Sequence, residues 1–359
     1  MVQFDPSWVS SSSKQHLVPN TYLKAWSNNN DHVYYIDKNE KIIDFNQADF
    51  QRKTKKLTII KEFYSRNIYT NFFEANDLVK IFEPLTSKNY SVIYESKEIL
   101  SLEELKSKFY DFSAWEIFEG KNKLISKEKK EELKKEIRGV QIRDIEEAWN
   151  RMFENTWPNT REALLNAVNS NLGINRIKAI KREELLRFMI AMEWRTFPPN
   201  PQLLEKLNKI PLDALNEPLD EEEKYLPTIN TYGEHVLHDL NLKFFKKYFK
   251  NDGPIHEQFD KINEEMDVEL LVPETGYEFI TSDNPIKIFE NANKELEYIF
   301  AITPNLACAI RKNNKNQDKN KYWLTTYPKE KVFDFNKNVK EASYRGYILK
   351  QPNLGVYFK

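Results

Sequence analysis

Cysteine and glycine are both scarce in this sequence. The 359 residues include one cysteine, Cys308, and 8 glycines. A single cysteine excludes an internal disulfide framework and is typical of a reducing compartment, and its apolar neighbours predict a small core residue rather than a nucleophile. Neither G-x-G-x-x-G nor G-x-x-x-x-G-K-[ST] occurs, so there is no glycine cradle for phosphates and we expect no nucleotide cofactor.

Other features that define common protein classes are also missing. The sequence contains neither a serine-hydrolase elbow nor an H-E-x-x-H zinc motif. No apolar run is long enough to span a bilayer, and the amino terminus lacks the basic start and apolar stretch of a secretory signal. We therefore expect a soluble, cytoplasmic protein with no membrane partner.

Charge of one sign does not dominate. There are 54 Lys and Arg residues against 55 Asp and Glu residues, which gives a formal net charge of −1. A balanced chain has no global field that attracts nucleic acid or a membrane. Two local basic runs, 52–56 and 311–321, are candidate nucleic-acid contacts, although such short runs are more typical of solvated loops.

The order of predicted elements indicates an α+β fold. Hydrophobic residues make up 40% of the chain, including 23 Phe, 18 Tyr and 7 Trp, which is enough for a large core. We interpret residues 1–359 as a single domain, with a mixed lead (1–125), a helical region (126–252) and a strand-rich region (253–359). A mixed or antiparallel sheet is expected to combine the amino-terminal and carboxy-terminal strands and to pack on the central helices.

Periodicity and capping residues place the main elements. Helices are predicted over 20–26, 126–143 and 185–195, and around Leu237–Tyr248. A hairpin is predicted over 32–45. After Gly253–Pro254 the pattern becomes strand-like, and the last strands are expected at 347–349 and 356–358.

One stretch stands out as a candidate site. The apolar run ending at Ile280 is followed by four small polar residues, Thr281 to Asn284, and then by Pro285, which prevents the strand from continuing. These residues form either an Asx-type turn between two strands or the floor of a site. A turn needs only one such side chain, so four of them favour the site.

His16 and Arg195 are the other prominent polar candidates. His16 lies immediately before a predicted helix, held by the extended link to Pro19. Arg195 ends the most apolar helix of the chain, where an unpaired charge would be costly. Glu193 is a poor partner because residues i and i+2 point to different sides of a helix. Arg195 therefore pairs with another buried carboxylate or binds a phosphate or carboxylate ligand.

His235 and His238 have the spacing of an i, i+3 metal pair on one helix face. A zinc site needs further ligands, and the sequence offers no third ligand nearby. Histidines beside an apolar stripe are also common without any metal, and this alternative stays open.

Two segments resemble the signatures of a known family. The pattern Lys14-x-His16-x-Val18-Pro19-x-x-Tyr22-Leu23-x-x-Trp26 resembles the opening signature of the domain-of-unknown-function 4238 family of bacterial proteins, with Trp26 where a phenylalanine is expected. Residues 279–285 resemble its second signature. The helix ending at Arg195 and the segment Asn336…Ala342…Arg345 resemble weaker family features. The resemblance implies relatives along most of the chain and no general activity.

These residues suggest a metal-assisted phosphodiester hydrolase. His16 would act as general base or metal ligand, Asp283 as carboxylate ligand or base, Asn284 as orienting amide and Arg195 as anion clamp. Mg²⁺ or Mn²⁺ would supply the hard cation. Such a protein would be a nuclease-like effector, in phage defence or as a toxin. The remaining residues expected to line the pocket are Tyr22, Glu193, Ser282, Asn336 and Arg345.

The alternative is a non-catalytic module. In that case the same histidine, aspartate and asparagine side chains form a structural polar network. This network would join the amino-terminal turn to the carboxy-terminal sheet, and a surface elsewhere would recognise a ligand or a protein.

Overall fold

A computed structural model describes residues 13–28, 30–40, 47–120, 123–196, 216–221, 224–290, 295–312 and 318–359. Within these ranges the α-helices are α1 (Asn20–Leu23), α2 (Gln47–Phe50), α3 (Ala75–Ile81), α4 (Glu83–Thr86), α5 (Leu102–Lys108), α6 (Lys127–Gly139), α7 (Asp144–Trp149), α8 (Trp157–Asn169), α9 (Arg182–Arg195), α10 (Tyr232–Phe249), α11 (Gly253–Glu265) and α12 (Lys329–Ala342).

The strands of the same ranges are β1 (Lys14–His16), β2 (His32–Asp37), β3 (Gln51–Lys53), β4 (Ile59–Lys61), β5 (Tyr90–Tyr94), β6 (Lys97–Glu98), β7 (Glu116–Glu119), β8 (Lys123–Leu124), β9 (Arg176–Lys178), β10 (Met266–Pro273), β11 (Thr281–Ser282), β12 (Ile286–Glu290), β13 (Leu296–Thr303), β14 (Leu306–Lys312), β15 (Lys321–Tyr327) and β16 (Gly346–Leu349). Helices and sheets pack together as the predicted α+β class requires.

The largest sheet has six strands in the order β12-β13-β14-β10-β15-β9. It is mixed, because β10 pairs antiparallel with β14 and parallel with β15. A four-stranded sheet in the order β11-β16-β2-β3 combines strands from both ends of the chain. The two ends of the chain therefore share a sheet, as expected.

The hydrophobic interior is divided into two clusters. The larger cluster packs helices such as α8, α9 and α10 against the six-stranded sheet, and α9 is buried along every residue from Leu185 to Arg195. Its centre includes Trp157 stacked on Phe188, with 3.9 Å between ring centroids. The smaller cluster, which we call the second core, lies within residues 68–142 and contains Trp115 and Ile137.

Two predicted elements differ from the structure, and a third lies outside the described residues. Helix α11 occupies Gly253–Glu265, where strand-like structure was expected. Pro254 lies in the first turn of this helix, where a missing N–H costs nothing, so Gly253–Pro254 starts a helix. The predicted strand at 356–358 is replaced by a 3₁₀ turn, Leu354–Val356. The predicted second hairpin strand, 42–45, lies outside the described residues, and β2 pairs instead with β16 and β3.

Cys308 lies in β14 and is completely buried, as its apolar neighbours predict. Burial raises the pKa of its thiol. Separately, none of the helices within the described ranges combines the length and apolar character that a bilayer crossing needs.

A substitution at Gly346 tests the close packing of β16 against β2 in the four-stranded sheet. A Cβ at this position would lie 2.5 Å from the carbonyl oxygen of Ile36 and 2.5 Å from the Tyr35 ring. We expect Gly346→Ala to lower the free energy of unfolding by about 1–3 kcal/mol, as overpacking does. Urea denaturation measures the loss. Gly139→Ala, where no atom outside the backbone of α6 lies within 4 Å of the added Cβ, is the matched control and should be neutral or stabilise by up to about 1 kcal/mol, because alanine is the better helix former.

Candidate functional site

Asp283 is held in a nest of backbone N–H groups. Its carboxylate accepts hydrogen bonds from the N–H groups of Tyr344 (2.8 Å), Arg345 (2.7 Å) and Gly346 (3.2 Å). Burial raises the pKa of Asp283, and these three donors oppose that shift. The Arg345 side chain is exposed and lies 5.8 Å from the Tyr344 ring. The carboxylate thus fastens the start of β16, and the backbone donors occupy both of its oxygens.

Asn284 and Ser282 close the same corner. The Asn284 amide donates to the carbonyl of Ala342 (2.9 Å) and accepts from the hydroxyl of Thr196 (3.1 Å). The Ser282 hydroxyl accepts a hydrogen bond from the Asn284 N–H (3.2 Å), which defines an ST-turn, and donates to the Asn284 carbonyl (2.7 Å). Through Thr196, the corner is tied to the end of α9.

Tyr22 and Asn336 extend this polar network. The Tyr22 hydroxyl donates to the carbonyl of Ala301 (2.8 Å) and lies 2.7 Å from the Thr281 hydroxyl. The Asn336 amide accepts from the Ile280 N–H (3.0 Å) and donates to two further carbonyls, so all its bonds are internal. Both side chains are fully buried. They join α1 and α12 to the strand around residue 281.

Arg195 is the centre of a second group, the Arg195 cluster, made of His16, Tyr64, Glu146, Glu154 and Arg195. The guanidinium contacts Glu154 at 2.6 Å and Glu146 at 3.7 Å, and it lies 5.0 Å from the Tyr64 ring. Another buried carboxylate is therefore its partner, which was the open alternative. Glu193 instead accepts a hydrogen bond from Gln258 (2.9 Å) on α11.

A π-helical turn brings both carboxylates to Arg195. At 3.6 residues per turn, Glu146 and Glu154 would lie roughly 80° apart around the helix axis. The turn Asn150–Glu154 is wider, so this angle decreases and both side chains face the same guanidinium. Burial raises the pKa of Glu146 to about 7, with Arg195 opposing the shift.

His16 belongs to the Arg195 cluster, because Glu154 and Arg195 both act on its imidazole. Its Nδ1 lies 3.2 Å from the carbonyl oxygen of Leu57. Burial lowers its pKa; Glu154 raises it, and Arg195 lowers it further. The structure therefore groups His16 with Arg195, while Asp283 and Asn284 make their contacts at the β16 corner.

The predicted metal ligands do not form a centre within the described ranges. No group of three or more His, Cys, Asp or Glu side chains there is placed to hold a metal ion. The carboxylate of Asp283 is already used by N–H donors. His238 packs against the Phe63 ring with 4.8 Å between centroids, and burial lowers its pKa to about 3.

A cavity between the two cores, which we call the cleft, opens beside polar side chains. It has a volume of about 650 Å³ and is lined by Ile68 and Phe109 from the second core and by Leu219 and Val236 from the larger one. Ligand sites favour such boundaries. Its polar lining includes Asn71, Lys106, Lys134 and His235.

A histidine–aspartate pair lies on one wall of the cleft. Nε2 of His235 is 3.4 Å from Oδ2 of Asp239, one turn further along α10. The same oxygen accepts from the backbone N–H (2.9 Å) and the side-chain amide (2.6 Å) of Asn71. Burial raises the pKa of Asp239 to about 6, opposed by Asn71 and Lys106. Burial lowers the pKa of Lys106, and Asp239 opposes that shift.

Several buried polar atoms at and beside this pair lack a hydrogen-bond partner among the described residues. They include Oδ1 of Asp239, the hydroxyl of Tyr225 and Nε2 of His238. The Tyr225 ring meets the His235 ring edge-on, with 5.2 Å between centroids. Burial raises the pKa of Tyr225 well above its usual value, so the hydroxyl stays protonated. These groups retain the capacity to bind a water molecule or a polar ligand.

A buried ion-pair network fixes the two walls of the cleft. Arg66 is fully buried and pairs with Asp77 of the second core and with Asp144 of α7 at 2.9 Å. Lys246 of α10 contacts Asp144 at 2.9 Å and Glu74 at 3.0 Å. Helix α10 also carries His235, so this network sets the position of the histidine relative to the second core.

The predicted nucleic-acid contacts lie elsewhere. The described residues of the runs 52–56 and 311–321 do not line the cleft. Arg52 donates to the carbonyls of Asp49 (2.7 Å) and Gln51 (2.9 Å), and Arg311 pairs with Glu269. The basic side chains of the cleft, Lys106 and Lys134, come from mixed-charge helices whose sequences show no basic run.

Comparison with known proteins confirms the family. The sequence pattern of the family described as a protein of unknown function (DUF4238) matches residues 14–352. The chain therefore belongs to the DUF4238 family. No curated protein and no solved structure matches the chain.

The role of Asp283 can be tested through stability. Asp283→Ala leaves three backbone donors unpaired, and we expect a loss of about 3 kcal/mol or more in the free energy of unfolding. Asp283→Asn keeps one acceptor oxygen and should cost less. Urea denaturation with and without Mg²⁺ measures both. If Mg²⁺ stabilised the wild type and had no effect on either Asp283 variant, the result would contradict the backbone role of this carboxylate.

The raised pKa of Glu146 predicts a pH-dependent stability. Folding raises this pKa from 4.5 to about 7, so the folded state binds more protons and stability falls as the pH rises between these values. Glu146→Gln removes that loss. At pH 8 the variant should be more stable than the wild type by about 3 kcal/mol, at about 1.4 kcal/mol per pKa unit. Near pH 4 the wild type and Glu146→Gln should have the same free energy of unfolding. If the two proteins were also equally stable at pH 8, the raised pKa of Glu146 would be contradicted.

Proposed function

We propose that this protein hydrolyses phosphodiester bonds of nucleic acid in the cleft. His235 is the general acid–base group, Asp239 orients its imidazole, and Lys106 binds the phosphate. The proposal rests mainly on one observation, the His235–Asp239 pair on the wall of a cavity of about 650 Å³ that also exposes a lysine. His235 lines the cavity and Asp239 lies behind it, and a perturbed carboxylate paired with a side chain of a cavity wall is a recognised sign of a functional site.

The chemistry needs one proton to move twice. His235 accepts a proton from the attacking water as the new P–O bond forms, and the imidazolium returns it to the oxygen of the leaving group as that P–O bond breaks. Asp239 stabilises the imidazolium because its carboxylate is 3.4 Å away. Lys106 offsets the negative charge that develops on the phosphate oxygens.

The cleft differs in location from the site that the motifs suggested. Asp283, Asn284 and Asn336 make their hydrogen bonds with the protein itself, so they support the sheet that carries α9 and α12. Mg²⁺ or Mn²⁺ binding stays a prediction, and each assay is therefore run with either ion and with a chelator. A cytoplasmic nuclease of this kind would act as an effector in phage defence or growth inhibition.

The test is a cleavage assay with purified protein on single-stranded and duplex RNA and DNA. His235→Asn and Lys106→Met should each lower kcat/KM by about 10²–10⁴-fold, the usual contribution of acid–base and charge groups. Wild-type kcat/KM should rise as the pH increases through about 6, where Asp239 ionises, and Asp239→Asn should lose this dependence.

The chain provides a matched control. His256 and Asp260 have the same i, i+4 spacing and a 3.4 Å contact on α11, away from the cleft. His256→Asn should leave kcat/KM unchanged. Equal loss in both histidine variants, or cleavage that survives His235→Asn, would overturn the assignment.

A non-catalytic module is the second candidate, favoured by the internal hydrogen bonding of Tyr22, Asn284 and Asn336. It predicts no cleavage of any substrate with or without metal. It also predicts a lower melting temperature when one of these residues is replaced by alanine.

A further inference from the structure

The wall of the cleft that comes from the second core combines cations with aromatic rings. Lys106 of α5 lies with its Nζ 5.4 Å from the Phe73 ring centroid. Lys134 of α6 lines the same wall, and the Arg138 guanidinium, one turn further along α6 and outside the lining, lies 5.5 Å from the ring of Tyr69, which does line the cleft. Basic groups interleaved with rings are the usual surface for unpaired nucleic-acid strands.

Two tyrosines line the same cavity with large exposed areas. Tyr110 is 78% exposed and Tyr232 is 37% exposed. Few large hydrophobic residues of this protein are as exposed as Tyr110, whereas most of its tyrosines are buried or half-buried. A base stacked on such a ring typically contributes about 1–3 kcal/mol. The rings therefore offer stacking surfaces directly beside the basic wall.

The opposite wall has the reverse charge. Asp220 and Glu221 line the cleft there, both exposed, and Glu221 pairs with Lys224 at 2.5 Å. Asp239 lies deeper, behind His235, beside Asn71. A polyanion is repelled from the Asp220 wall and attracted to the Lys106 wall, so this charge difference fixes the side of the cleft on which a phosphate backbone lies.

From these features we infer that the substrate is single-stranded nucleic acid, with its phosphates along Lys106 and Lys134 and its bases stacked on Tyr110 and Tyr232. Bases in a duplex already stack on one another and cannot cover these rings. The inference rests on the proposed function, because it names the substrate of that cleft. It also assigns the binding to helices α5 and α6 rather than to the runs 52–56 and 311–321.

Binding is measured in the His235→Asn variant by fluorescence anisotropy. The probes are a labelled 12-nucleotide poly-U strand and a duplex of the same length. We expect at least tenfold tighter binding of the single strand, and Tyr110→Ala should weaken it by about 5–150-fold, the equivalent of 1–3 kcal/mol. Tyr344→Ala, at another tyrosine that is 46% exposed, is the control and should leave the affinity unchanged.

Salt dependence separates the two walls. Lys106→Met and Lys134→Met, both at residues that line the cleft, should each reduce the slope of log K against log salt by about one. Lys108→Met is the matched control on α5, since Lys108 lies 5.2 Å from the Tyr94 ring and does not line the cleft. The double change Asp220→Asn with Glu221→Gln should tighten binding severalfold by removing repulsion.

The outcomes separate the inference from the proposed function. Single-strand binding that depends on Tyr110, in a protein that cleaves nothing, supports the inference and defeats the hydrolase. Cleavage that depends on His235 with equal affinity for the duplex supports the hydrolase and overturns the inference. Unchanged affinity in Tyr110→Ala, in a variant with wild-type melting temperature, also overturns it.

Discussion

The buried pairing of Arg66 with two aspartates is the constraint on which the cleft depends. Arg66 lies in the chain between the two cores and reaches Asp77 on one side and Asp144 on the other. Buried ion pairs gain little net stability, because desolvating the charges costs about as much as their attraction returns. However, the partners must stay in contact, because separating or removing one of them leaves a buried charge uncompensated. The pairing therefore specifies how the second core sits beside α10.

Local patterns predicted much of the fold, and particular residues show why. Ser126 caps α6 and the apolar run ending at Arg195 is fully buried, so propensity and packing agree there. Helix α11 was missed because Gly253–Pro254 favours both a chain break and a helix start. Only its later apolar positions, Ile255, Phe259 and Ile262, distinguish the two by their helical spacing.

The candidate site was harder to predict than the fold. His16 and Arg195 do share a cluster, yet Glu146 and Glu154 were missed because a π-helical turn places them on one face. Lys106 and His235 are far apart in sequence, and they line the same cavity only because the two cores pack together. Periodicity along one segment carries no information about such a meeting. A signal that could have identified the pair is the His235-x-x-x-Asp239 spacing, which places both side chains on one face of an amphipathic helix.

The family signatures describe a scaffold more than a reaction centre. Tyr22 and Trp26 of the first signature bond to the strand of the second, through Thr281 and through the carbonyl of Phe279 (3.1 Å). The two DUF4238 signatures of this chain therefore form contacts that stabilise the fold. A chemical function would come from other side chains, which line its cavities.

The pairing of β2 with β16 has a consequence for biosynthesis. Strand β2 begins at His32 and its partner ends at Leu349, so residues 32–349 must all leave the ribosome before this ladder closes. Until then, the early aromatic residues Tyr22 and Trp26 lack their partners Thr281 and Phe279, and their apolar surface is exposed. A chain that ends before Gly346 lacks β16, and β2 then keeps only β3 as a neighbour.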